Sequence, residues 1–65
     1  MTTYYIVEAF GKTGALAGQR TVIGLEMARQ LYSYLVGTGD YGNVILWSTE
    51  VSAGIIDKYE RINVQ

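Results

Sequence analysis

A chain of 65 residues with no cysteine cannot hold a disulfide, and the absence of histidine as well argues against the usual zinc site. Five basic residues against six acidic ones, a net charge of −1 with no block of like charge, argue against an electrostatic grip on nucleic acid or on an anionic membrane. Two supports remain for so small a chain, a dense core and self-association, and a hydrophobic fraction of 49% favours both.

The opening residues carry no positively charged leader region. No apolar run approaches the roughly 18 residues of a membrane-spanning helix. The expectation is one compact domain over residues 1–65, soluble and cytoplasmic, without a membrane partner. There is no linker, repeat or low-complexity tract. Proline is absent, so the eight glycines supply the punctuation.

Residues 3–10, TYYIVEAF, read as a strand rich in aromatic and β-branched side chains. Alternation places Tyr5, Val7 and Ala9 on one face and Tyr4, Ile6, Glu8 and Phe10 on the other. The first face is wholly apolar or aromatic and is the expected core face. The segment GKTGALAG, residues 11–18, reads as a hairpin connection with a bulge near Gly18, followed by a strand over residues 19–23.

Residues 25–36, LEMARQLYSYLV, read as a helix. Leu25, Ala28, Leu31, Tyr32, Leu35 and Val36 fall on one face at helical spacing, and LEMARQL is built of strong helix formers. Gly24 is a weak N-cap. Residues 43–49, NVILWST, form a third strand, and VSAG supplies a turn. Residues 55–64 form a fourth strand, an edge with charges on both faces, with a short helix from Lys58 onward as the alternative. The order ββαββ predicts an α+β two-layer domain, one helix packed on a four-stranded sheet. That order resembles compact β-grasp-like domains at the level of fold, which does not fix function.

Three short matches suggest chemistry and fail on context. GTGDYG, residues 37–42, has the G-x-G-x-x-G spacing of a dinucleotide loop, but that loop runs from strand to helix. Here a helix precedes it and a strand follows, so it sits at a helix C-terminus, whose partial negative charge repels phosphate. The plain reading is a helix stop at Gly37 or Gly39 and a turn through Asp40, Tyr41 and Gly42. Gly11-Lys12-Thr13 ends like a phosphate-binding loop, yet the glycine required five positions earlier is Ile6. The G-x-x-x-G of residues 14–18 lies outside any apolar membrane segment.

Histidine and cysteine are missing, Ser33, Ser48 and Ser52 have no evident activating base, and the carboxylates are scattered. No catalytic, cofactor-binding or metal-binding residue is expected, and no enzyme.

The aromatics carry the remaining signal. A two-layer domain leaves one sheet face open, and that face would bear Tyr4, Ile6 and Phe10. Tyr34 on the flank of the helix, with Asp40 and Tyr41 in the exposed turn, completes the expected interface. This points to a non-enzymatic, self-associating interaction module that binds or blocks another macromolecule, an inhibitor or accessory protein of the kind phages encode. One alternative is an oligomer that sequesters a small, nucleotide-like ligand between subunits. Another is a nucleic-acid binder that stacks bases on the sheet, disfavoured because the basic residues are dispersed.

Overall fold

The computed structural model of the chain describes residues 2–62, with residues 57 and 58 described by their backbone alone. Four strands and one helix follow one another as β1 (Thr2–Phe10), β2 (Leu16–Val22), α1 (Leu25–Thr38), β3 (Asn43–Ser52) and β4 (Ile55–Ile62). The strands form a single antiparallel sheet in the order β2-β1-β3-β4, with α1 across one face. The predicted ββαββ two-layer fold is the one observed.

Alternation decides which residues meet the helix. Val7 and Ala9 of β1 lie opposite Leu46 and Val44 of β3, and these four are buried together with Ala28 of α1. Tyr5, Val22, Leu31, Tyr32, Leu35, Tyr41 and Ile62 pack against this cluster. Alanine at position 28 has no accessible surface. A larger side chain there would hold the helix off the sheet, because a close-packed core does not absorb extra methylenes without strain. The backbone of the helix lies closest to β3 and β1 and less close to β2, and β4 reaches the core through Ile62.

Most boundaries follow the sequence to within a few residues. The β1–β2 loop is shorter than residues 11–18, because β2 already begins at Leu16. The expected bulge is present: Ala9 faces Gly18 while Phe10 faces Leu16, which leaves Ala17 as the extra residue. Strand β3 continues to Ser52, so the turn shrinks from VSAG to Ala53-Gly54 alone. Both turn residues have positive φ, 53° and 80°, as a two-residue hairpin turn matched to the strand twist requires. Residues 58–62 are strand and not helix; Asn63 and Val64, the end of the expected strand, lie outside the described residues.

The helix runs two residues past its expected end, through Gly37 to Thr38. Val36, expected on the core face, is 53% exposed. Gly39 stops the helix in the left-handed conformation, φ 72°, and its amide donates to the Val36 carbonyl. The Thr38 hydroxyl donates to the Leu35 carbonyl at 2.8 Å and accepts from the Asp40 amide at 3.3 Å. Gly24 opens the helix with extended backbone and no side-chain cap.

Candidate contact surface

The face of the sheet turned away from α1 bears no second layer among the described residues. Register assembles it. Tyr4 lies opposite Thr49, Ile6 opposite Trp47, Glu8 opposite Ile45, and Phe10 opposite Asn43. Tyr59 and Arg61 of β4 extend the rows of Thr49 and Trp47, and Gln19 and Thr21 of β2 extend those of Glu8 and Ile6. The sequence assignment of faces holds: Tyr5, Val7 and Ala9 point to the helix, and Tyr4, Ile6, Glu8 and Phe10 point away. Tyr4, Ile6 and Phe10 are half-buried although no element covers them, because neighbouring side chains on the sheet shield one another.

The middle of this face is organised around Glu8. Its carboxylate accepts from Gln19 Nε2 at 2.9 Å and from Trp47 Nε1. Both donors are neutral, so the charge stays on the face while its position is fixed from two strands. The Trp47 ring packs against Tyr59, with centroids 4.8 Å apart and planes tilted by 36°. Such a pair adds about 0.5–1.5 kcal/mol beyond the area it covers. Burial, and then the negative charge of Glu8, push the Tyr59 phenol above the ordinary tyrosine value. Thr49, between Tyr4 and Tyr59 in register, is only 4% exposed. The aromatic rows therefore shut water out of part of a face that carries no second layer.

The six expected interface residues divide. Tyr4, Ile6 and Phe10 share the open face. Tyr34 is 69% exposed but lies on the helix, in the other layer. Asp40 is exposed in the loop after the helix. Tyr41, expected as an exposed turn residue, is half-buried and packs on the core, because the chain must turn back under the end of α1 to enter β3. Tyr34 and Tyr41 both line a cleft of about 310 Å³ between α1 and β2, away from the open face.

Sequence reasoning placed Glu8 on this face without giving it a role, and it missed Ile45, Trp47 and Tyr59 as members of the surface. In NVILWST both alternating sets are apolar, Val44 and Leu46 against Ile45 and Trp47, so periodicity alone gives no inward face. The register with β1 settles it.

The two glycine motifs become neighbours. Gly11 and Lys12 of the first and Gly42 of the second line a shallow cleft of about 330 Å³ with Phe10, Asn43 and Ile45. It is no phosphate cradle. The amide of Gly11 donates to Ala15, that of Gly14 to Gly11, and that of Gly42 to Phe10, so these three N–H groups are spent on backbone carbonyls. Gly42 is needed for space: a methyl group placed on it would lie 2.9 Å from the Gly11 carbonyl oxygen and 3.0 Å from Lys12 Cα.

Among the described residues no group of three histidine, cysteine, aspartate or glutamate side chains could hold a metal ion, and no helix is long and apolar enough to cross a membrane. No protein-family model, curated protein or solved structure matches the chain.

Proposed function

We propose that the chain is a non-enzymatic interaction module, a small accessory or inhibitory protein that binds another protein through the open face of its sheet. The observation that carries this reading is the organised but uncovered surface of Tyr4, Ile6, Phe10, Ile45, Trp47 and Tyr59, with the Glu8 carboxylate fixed at its centre. Rigid aromatics with polar tips are what protein interfaces favour, because they bury much area while losing few rotamers.

The chemistry of the occupant follows from the charges. Among the described side chains at open-face strand positions, Glu8 and Arg61 are the charged ones, and they cancel. A phosphate backbone gains nothing from such a face. A protein surface fits it, one that presents apolar side chains to the rings and a basic or amide group to Glu8.

The test is capture of a partner from the native host by the purified chain and by single variants. Ile6→Asp and Phe10→Asp are expected to abolish capture while circular dichroism stays native. Met27→Asp, exposed on the helix, is expected to retain it. Capture that survives both sheet-face substitutions would remove this surface from consideration.

A further inference from the structure

We infer that β4 of one copy pairs with β2 of the next, head to tail, so that the sheet continues through successive copies of the chain. This goes beyond the contact face, since it uses the two edges of the sheet and leaves that face open.

Strand direction comes first. In the order β2-β1-β3-β4 every neighbouring pair is antiparallel, so the two edge strands run in opposite directions. A second copy set beside the first in the same orientation therefore brings its β2 antiparallel to β4, and the alternation continues unbroken. Both edges are accessible: Leu16 to Thr21 of β2 are all exposed, as are Tyr59, Glu60 and Arg61 of β4. Neither strand contains proline, which would block a ladder.

Side chains then select a register. On the helix side of the sheet, β2 presents Gly18, Arg20 and Val22, the partners of Ala9, Val7 and Tyr5. On the same side β4 presents Glu60 and Ile62, the partners of Ser48 and Leu46. Setting Glu60 opposite Arg20 of the next copy places Ile62 opposite its Gly18. No heavy atom lies within 4 Å of where a Gly18 side chain would begin. That gap opens on the 310 Å³ cleft whose lining includes Leu31, Tyr34, Leu35 and Tyr41 on its helix side and Arg20 on its strand side, so Ile62 meets apolar side chains there while Glu60 meets the guanidinium.

The same register satisfies the open side. Tyr59 falls opposite Thr21, a favourable aromatic and β-branched pair, and Arg61 falls opposite Gln19. Gln19 already donates to Glu8, so the Arg61 guanidinium meets an amide backed by a carboxylate one strand further in. Opposite charges thus approach on both sides of the new ladder. A slip of one residue would turn every side chain to the wrong face, and a slip of two would take Glu60 off Arg20. Successive copies joined in this way carry their helices on one side and their contact faces on the other. Such a contact makes a ring where the rotation closes and a filament where it does not.

The experiment is sedimentation equilibrium at micromolar concentration on the wild type, Arg20→Glu, Glu60→Arg and the double reversal, each checked by circular dichroism. The wild type is expected to exceed twice the 7.2 kDa chain mass. Each single reversal is expected to weaken association at least tenfold, and the double reversal to restore it. A wild type that stops at one or two copies, single reversals that change nothing, or a double reversal that stays dissociated would each overturn the pairing. Ile6→Asp separates this from the contact face: it is expected to lose partner capture and keep the assembly, whereas Arg20→Glu is expected to lose the assembly and keep capture.

Discussion

The two faces of the sheet come from the same strands and alternate along them, yet they are built of different material. The buried centre under the helix is Val7, Ala9, Val44 and Leu46, aliphatic and small, with Ala28 pressed against them and Tyr5, Tyr32 and Tyr41 packed around the margin. On the other side lie Tyr4, Ile6, Phe10, Ile45, Trp47 and Tyr59, mostly aromatic, with polar tips on Tyr4, Trp47 and Tyr59 and a fixed carboxylate among them. Aliphatic side chains have nothing to lose in a dry interior. Tyrosine and tryptophan carry groups that must keep a hydrogen-bond partner, so they suit a surface that is alternately wet and covered. Apolarity alone does not distinguish the centres of the two faces; the polar-tipped rings at the centre of the open one do.

Adjacent residues of β3 test this division most severely. Leu46→Ala is expected to destabilise the chain by about 2–5 kcal/mol, through lost burial and the cavity left behind. That is a large share of the about 3–10 kcal/mol expected of a domain of this size. Ile45→Ala, one residue earlier and on the open face, is expected to lose about 1 kcal/mol, since its side chain is only half-buried. Urea unfolding monitored by Trp47 fluorescence measures both. Equal losses would erase the distinction between the faces.

The glycine loop joining α1 to β3 gives a smaller and graded series. Gly42→Ala forces a methyl group onto the Gly11–Lys12 backbone and is expected to destabilise by about 1–3 kcal/mol. Gly39→Ala places a side chain at φ 72° and is expected to lose about 1 kcal/mol. Gly37→Ala, inside the helix with open space around it, is expected to gain about 0.5–1 kcal/mol. Thermal melts of the three variants rank them. A different order would mean that the loop is held by something other than sterics.

The smallest effect is electrostatic. Burial and Glu8 raise the folded-state pKa of Tyr59, so the folded state favours the neutral phenol. The unfolded chain releases its proton first, at about pH 10. This contribution to stability is therefore complete below about pH 10 and is lost as pH rises through the folded pKa. In the difference between ultraviolet titrations of the wild type and Tyr59→Phe, the phenol is expected to titrate above the ordinary value, and Glu8→Gln is expected to bring it part of the way back. A Glu8→Gln titration that coincides with the wild type would leave burial as the sole cause.

Much of the fold was legible because local signals agreed. The β1 alternation named the core face correctly, and LEMARQL specified the helix against the aromatic pull of LYSYLV. Register was not legible. It is fixed by hydrogen bonds between strands distant in sequence, and without it Trp47 could not be set beside Ile6 or Glu8 beside Gln19. Tyr41 was misread because a turn residue looks exposed until the element it passes beneath is known. The Ala53-Gly54 turn was drawn too long because alanine rarely takes the positive φ that such a tight turn demands.

The claim that the open face is the contact surface can be read at a single atom. Trp47 is the chain's one tryptophan and stands at the centre of that face. With 5-fluorotryptophan at this position, fluorine NMR follows it during titration with the captured partner, whose saturation is measured independently. The resonance is expected to shift and broaden in step with binding. A resonance unchanged in position and width at saturation would contradict the claim.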